Sequence, residues 1–219
     1  MRYITSLSLI LLLSIAGVAK ANTYHFACDD VNSATNCATG AAQFVTNVTG
    51  DSSGAVFEFR NIGSGISTIT DIYFDDDPLA MLNIGSASLT AGTGVAFTSP
   101  AAPPSPPPAT GFDASYSADS DSPGVPANGI NQAAAGSTVE FLQIGFDYAN
   151  GGTTFAMLLA ALNDGRLNIA LHAQAIGTGS SETSEWLYLA PSPVPVPAAV
   201  WLFGTALLGF IGMSRRTKV

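Results

Sequence analysis

The chain has 219 residues, of which 47% are hydrophobic and only 11% are charged, and its formal net charge is −9. Five of its seven cations lie within residues 1–21 and 214–219, so the part between them has two cations against sixteen carboxylates. This acidic surface excludes nucleic acid as a partner and disfavours anionic lipid headgroups. It suits divalent cations or simple solubility outside the cell.

The N-terminal segment has the pattern of an export signal. An early Arg2 is followed by an apolar and hydroxylic run, residues 4–18, and then by Ala19-Lys20-Ala21. Small residues at the first and third positions of that tripeptide fit the pattern that signal peptidase recognises. We predict that residues 1–21 form a secretory signal peptide and that the mature chain begins at Asn22. An uncleaved signal anchor is the alternative.

The mature part before the C-terminal prolines spans residues 22–190, about the length of one domain with its own core. The two cysteines of the chain, Cys28 and Cys37, enclose eight residues. Exported proteins meet an oxidising environment, and no cluster of histidines accompanies these thiols to favour a metal site. We therefore predict a local disulfide that ties down the N-terminal part of the domain.

Most of this domain is predicted to be β-strand. Apolar and polar residues alternate, or β-branched and aromatic residues concentrate, in short runs that glycine, proline and Asn/Asp/Ser turns separate. The runs are residues 55–60, 66–74, 95–97, 112–117, 138–148 and 167–174, with a last strand around Trp186 and Tyr188. Within them Phe57, Phe59 and Ile144 are predicted to face the core.

One segment has helical character. Thr154 is a suitable N-cap, a leucine- and alanine-rich body follows it, and Gly165 is a suitable C-terminal stop. The elements together predict a mainly β fold, an antiparallel β-sandwich with one short helix. Residues 100–108, which include six prolines, are predicted to form an exposed connection of polyproline II type.

Catalytic motifs are not recognisable in the sequence. His25 and His172 have no neighbours of the kind a zinc site needs, and His172 falls on the polar face of its predicted strand. No Gly-x-Ser-x-Gly elbow, His-Glu-x-x-His helix or phosphate-binding glycine loop is present. We predict that the protein is not an enzyme, has no catalytic residues and needs no cofactor.

The strongest local feature of the domain is a group of aspartates at the end of a predicted strand. Ca²⁺ binds six to eight oxygen ligands, chiefly from carboxylates and carbonyls. The spacing lacks the Asp-x-Asp-x-Asp-Gly periodicity of a calcium loop. A solvated turn whose charges prevent edge pairing is therefore preferred over a calcium site. The weak calcium candidates are Asp71, Asp75, Asp76 and Asp77.

The C-terminal segment has three parts, a proline-rich spacer at residues 191–197, an uncharged apolar run at 198–213 and a basic tail at 214–219. As a helix the apolar run is about 24 Å long, somewhat shorter than a ~30 Å hydrocarbon core, and it can span a thinned bilayer. Cations mark the cytoplasmic side of a membrane segment. We predict a single transmembrane helix with a cytoplasmic tail.

This C-terminal segment resembles the PEP-CTERM sorting signal of Gram-negative bacteria, in its variant with valine between the two prolines. The resemblance covers about residues 193–218, through a Pro-x-Pro element, an apolar helix beginning Ala-Ala-Val-Trp-Leu-Phe-Gly and terminal arginines. The residues that carry it are Val194, Pro195, Val196, Pro197, Arg215 and Arg216. It implies that an exosortase reads the signal, removes the tail and sorts the domain.

The resemblance thus implies a non-enzymatic substrate of an exosortase, anchored in the inner membrane and then sorted to the cell surface or extracellular matrix. An association with exopolysaccharide is part of the same expectation. The alternative is a carbohydrate-binding or adhesive module, calcium-assisted or not, on the same anchor. A flat aromatic surface around Trp186 would support that alternative.

Overall fold

A computed structural model of the chain describes residues 22–28, 33–76, 79–101, 107, 109, 111–121, 126–133, 139–177 and 183–190. The predicted signal peptide (1–21), spacer (191–197), transmembrane helix (198–213) and tail (214–219) lie outside these residues. Within them, no helix has both the length and the apolar character needed to cross a membrane.

The described part is mainly β-structure, with antiparallel pairing throughout. Its strands are β1 (Asn22–Ala27), β2 (Phe44–Gly50), β3 (Gly54–Asn61), β4 (Thr68–Asp75), β5 (Ser88–Ala91), β6 (Phe97–Thr98), β7 (Tyr116–Ser120), β8 (Ile130–Asn131), β9 (Phe141–Asp147), β10 (Asn168–Ile176) and β11 (Thr183–Leu189). Two α-helices accompany them, α1 (Ala34–Gln43) and α2 (Phe155–Asn163).

The strands form one nearly closed sheet in the order β5-β9-β3-β2-β1-β11-β10-β4-β7-β6, with β8 beside β4. Strand β1 joins the two halves, because its first four residues pair with β2 and Phe26 and Ala27 pair with β11. The prediction of a mainly β, antiparallel domain is confirmed. Through β1 the pairing is continuous from β5 to β6.

The core fills the space inside the sheet and is rich in phenylalanine. Phe57 and Phe74 meet edge to face with ring centroids 5.0 Å apart, and Phe146 lies 5.1 Å from Phe74. Aromatic pairs prefer this edge-to-face arrangement. The predicted inward side of β3 and β9 is confirmed, since Phe57, Phe59 and Ile144 are fully buried.

The two helices close opposite ends of the sheet. Where β4 pairs with β10, Asp75 lies opposite Asn168 and Thr68 lies opposite Gln174, which fixes the two ends. Helix α2 leads directly into the Asn168 end, and we call this the α2 end. At the other end, α1 packs near the loop of residues 62–67, where Gln43 donates a hydrogen bond to the Gly65 carbonyl (2.8 Å); we call this the α1 end.

The predicted helix is confirmed as α2, together with its predicted N-cap and its predicted C-terminal glycine. The Thr154 hydroxyl accepts a hydrogen bond from the Met157 amide (3.3 Å), and Gly165 follows the helix with φ +69°. Glycine is favoured there because the left-handed conformation clashes with a Cβ atom. The expectation of one short helix is wrong, because the structure also contains α1. Strands β1, β2, β5 and β8 were not predicted either.

The predicted disulfide is present. Cys28 and Cys37 are bonded, with their Cα atoms 5.9 Å apart, and the bond links the end of β1 to the first turns of α1. A crosslink over so short a loop restricts the unfolded chain only locally. It holds α1 against the strand that precedes it.

Candidate functional site

A row of polar and aromatic side chains crosses the outer face of the sheet, perpendicular to the strands. Cross-strand pairing places Trp186 of β11 beside His172 of β10, then Asp71 of β4, then Asp119 of β7 and finally Thr98 of β6. Directly paired residues point to the same side of a sheet. We call these five side chains the polar row.

A histidine–aspartate pair lies at the centre of the polar row. The imidazole Nδ1 of His172 is 2.9 Å from Oδ2 of Asp71, and the Thr70 hydroxyl donates a 2.8 Å hydrogen bond to the same oxygen. The side chain of His172 is 17% exposed and that of Asp71 is 9% exposed. His172 does lie on the outer face, as predicted, but it is held by a partner and mostly covered.

The tryptophan of the polar row is stacked on the histidine. The rings of Trp186 and His172 lie 4.5 Å apart and within 19° of parallel, and Tyr73 approaches the indole at 5.6 Å. Stacking and the bond to Asp71 fix the orientation of the imidazole from two directions. A sheet surface with ordered aromatic and polar groups can bind a ligand by stacking and hydrogen bonding together.

Beside the polar row, on the same outer face of the sheet, lies a second, smaller core. Tyr73, Ala101 and Ala170 are buried there, and the Tyr188 hydroxyl accepts a hydrogen bond from the Ala109 amide (3.1 Å). Ala101 is only 4% exposed. The predicted exposed connection at residues 100–108 is therefore wrong for Ala101 and Pro107, which are buried, whereas Pro100 is exposed as predicted.

The aspartates that were weak calcium candidates are dispersed and mostly buried. Asp71 belongs to the polar row, while Asp75 Oδ2 accepts from the Asp113 amide (3.2 Å) and Asp76 Oδ2 accepts from the Leu82 amide (2.7 Å). Four residues of extended strand separate Asp71 from Asp75 by about 13 Å.

The preferred interpretation, a solvated turn, is wrong for Asp71, Asp75 and Asp76, which are 7%, 5% and 2% exposed. Asp77 lies outside the described residues. Among the described residues, no three His, Cys, Asp or Glu side chains come together as a group that could hold a metal ion.

A groove of about 410 Å³ opens at the α2 end, between the β2–β3 turn and the end of β9. Its rim includes Asp51, whose Oδ1 accepts hydrogen bonds from the Ser53 hydroxyl (2.7 Å), the Ser53 amide (2.7 Å) and the Gly54 amide (3.2 Å). These bonds lower the pKa of Asp51 below its usual value. The carboxylate thus stabilises the turn electrostatically.

The residues of the predicted sorting signal, 194–197, 215 and 216, lie outside the described residues. The polar row could not be assembled from sequence, because His172 and Asp71 are 101 residues apart in the chain. Comparison of the chain with protein-family models, with curated proteins and with solved structures finds no match.

Proposed function

We propose that this protein is a non-enzymatic surface or extracellular-matrix protein of a Gram-negative bacterium. Signal peptidase releases its N-terminus, the apolar segment 198–213 holds it in the inner membrane, and an exosortase processes the signal that begins at Val194. The mature domain is then sorted to the cell surface or matrix, in association with exopolysaccharide. Its nearly closed sheet is, in this proposal, a β-sandwich ectodomain.

The observation that carries the proposal is the C-terminal sequence itself, a Pro-x-Pro element, an uncharged apolar run and a basic end in that order. Two features of the domain support an exported destination. The Cys28–Cys37 bond is of a kind that persists in oxidising compartments. The excess of carboxylates over cations keeps an extracellular domain soluble.

The test is to express the chain in cells that contain an exosortase and to measure its mass and membrane fraction. Replacing Pro197 with alanine should leave the anchor in place and impair processing. Replacing Arg215 and Arg216 with glutamine should impair retention, because these cations resist passage through the bilayer. A wild-type chain that keeps its full tail in these cells would reject the sorting mechanism.

The polar row favours a second candidate function, binding of a polysaccharide. Trp186 and His172 offer a stacked, partly exposed pair of rings, and the Asp71 carboxylate lies beside them. Sugars are bound by aromatic stacking together with planar polar groups.

Affinity electrophoresis through exopolysaccharide tests this function. Wild-type protein should be retarded, and Trp186→Ala should migrate freely. The matched control is Ile66→Ala, which lies outside the polar row, and this variant should be retarded like wild type. Equal migration of wild type and Trp186→Ala would exclude this role for the polar row.

A further inference from the structure

We propose that the α2 end of the domain rests on the bilayer surface while the C-terminal segment is still attached. The contact surface is an apolar patch made of Leu79, Met157 and Ala160, with Arg166 at its rim. This inference rests on the proposed function, because it requires the chain to be anchored by residues 198–213.

Helix α2 is unusual because it has no charged residue on any side. Its buried residues are Leu158, Ala161 and Leu162, so the opposite side would normally be polar. Instead that side exposes Met157, which is 51% accessible, and Ala160. A surface helix that is apolar on its outer side indicates a contact with a further apolar phase.

An open cavity of about 420 Å³ continues the apolar surface beside this helix. Four of its eight lining residues are methionine, leucine or alanine, and Arg166 contributes the single cation of the lining. The lining residues are Leu79, Met81, Asn150, Gly152, Thr153, Met157, Ala160 and Arg166. The unbranched side chain of methionine adapts to an irregular partner such as lipid.

The chain leaves the domain next to this patch. Tyr188 of β11 pairs with Ala170 of β10. Because these strands are antiparallel, the same register places Ala190, two residues after Tyr188, opposite Asn168, two residues before Ala170. Asn168 begins β10 immediately after the α2 connection, in which the Arg166 amide donates a hydrogen bond to the Ala161 carbonyl (2.9 Å). The exit to the C-terminal segment is therefore at the α2 end.

The length of the connecting segment limits how far this end can move from the membrane. Residues 191–197 span about 22 Å when they are extended as polyproline II, at ~3.1 Å per residue. A patch at the exit is thus held close to the bilayer surface at a high effective concentration. The exposed side chains of Ile62 and Ile66 belong to the opposite end, by the register of β4 and β10.

The charged side chains near the patch determine which lipid headgroups it can contact. Arg166 is paired with Asp164 at 2.8 Å, so it offers little attraction to phosphate. Asp76 and Asp113 line the neighbouring cavity and repel anionic headgroups. The patch therefore binds through apolar burial to a surface of zwitterionic lipid, and added anionic lipid weakens the contact.

The rate at which the native Met157 side chain is oxidised measures this contact. The full mature chain is reconstituted into phosphatidylcholine vesicles and exposed to hydroxyl radicals, and oxidation at each position is quantified by mass spectrometry. The background variant is Ile66→Met, which places a reference methionine at a site that is 46% exposed, close to the 51% of Met157. Met81, 6% exposed, is the internal standard for a buried methionine.

We expect Met157 to be oxidised several-fold more slowly than the reference methionine in these vesicles. Ala160→Glu should bring its rate up to that of the reference, because a charge on the patch opposes burial in lipid. Ala160→Leu should keep the protection. Vesicles that contain phosphatidylglycerol should reduce it.

Three results would overturn the inference, and the third would also overturn the proposed function. Equal oxidation of Met157 and the reference, in a chain that resists carbonate extraction, means that the anchor holds but the patch is free. Protection that disappears when the protein is diluted in the vesicles means that a second copy, and not lipid, covers the patch. A chain that carbonate extracts from the vesicles refutes the anchor, and with it both this inference and the proposed function.

Discussion

The two ends of the sheet are closed by helices of opposite character. Helix α1, with the sequence Ala-Thr-Asn-Cys-Ala-Thr-Gly-Ala-Ala-Gln, is held by the disulfide and by hydrogen bonds. The buried amide of Gln43 donates to the Gly65 carbonyl (2.8 Å) and accepts from the Gly65 amide (3.1 Å), and the Ser33 amide donates to Glu185 (2.6 Å). Helix α2 is instead held by buried leucine and alanine.

This contrast indicates that the two helices have different roles. Directional bonds and a covalent link fix α1 although little of it is apolar, and its remaining surface can face water. Helix α2 has apolar residues on both sides, so its packing uses one side and leaves the other available. The specific contacts of helix α1 suit a structural role, and the exposed apolar side of helix α2 suits an interaction.

The largest expected effect is at the α2 end. Leu158→Ala should lower the free energy of unfolding by roughly 3 kcal/mol, because it removes a fully buried side chain and leaves a cavity. Met157→Ala, one residue earlier and 51% exposed, is the matched control and should change stability by well under half as much. Urea unfolding of both variants measures this. Equal effects would show that the two sides of α2 are not distinct.

The corresponding change at the α1 end is loss of the disulfide. Replacing both Cys28 and Cys37 with alanine should cost roughly 2.5 kcal/mol, the entropy of closing so short a loop in the unfolded chain. Thermal unfolding of the variant, compared with that of the disulfide-bonded wild type, measures it, and the reduced and alkylated wild type is the control for the alanine substitutions themselves. If the melting temperature is unchanged, the hydrogen bonds of α1 suffice without the covalent link.

The capping residues give a direct comparison of the two helices. Thr154→Ala removes the hydroxyl that accepts from the Met157 amide, and we expect a loss of about 1 kcal/mol. Ser33→Ala removes the equivalent bond to the Asn36 amide, which is longer at 3.4 Å, from a helix that the disulfide also restrains. The α1 variant should therefore lose less. A greater loss for Ser33→Ala would reverse the ranking of the two ends.

The sequence predicted the elements whose pattern is local. Strands β3, β9 and β10 alternate apolar and polar residues, and α2 has a cap, an apolar body and a glycine stop, so each was identified from its own residues. Helix α1 was missed because threonine, asparagine and glycine give it low helix propensity and no apolar stripe, so tertiary contacts such as those of Gln43 must stabilise it.

The candidate site was predictable only in its parts. The outward position of His172 followed from strand parity, and Trp186 was recognised as a possible binding residue. Their contact depends on which strands pair and in which register, and a bulge in β4 shifts that register between His172 and Ala173. The burial of Asp71 had no local signal, since four aspartates near a turn normally indicate solvent.

Acid should affect the α2 end through Asp51. Hydrogen bonds from the Ser53 hydroxyl and from the Ser53 and Gly54 amides hold its pKa below the usual value. The carboxylate therefore stabilises the folded chain fully above about pH 5, and the stabilisation is lost as the pH falls through the lowered pKa. Asp51→Ala should flatten the fall of melting temperature between about pH 5 and pH 2, and Ser53→Ala should flatten it less.

The smallest expected effect is at the neighbouring tyrosine. Burial and, secondarily, the negative charge of Asp51 raise the pKa of Tyr148. Because the folded-state pKa is raised, the resulting stabilisation is complete below about pH 10 and is lost as the pH rises through the raised value. Asp51→Asn removes the charge but not the burial, so it should lower the pKa of Tyr148 slightly and leave it raised. Tyrosinate absorbance, taken as the difference from the same chain with Tyr148→Phe, measures the shift, and an unchanged pKa would mean that solvent screens the pair.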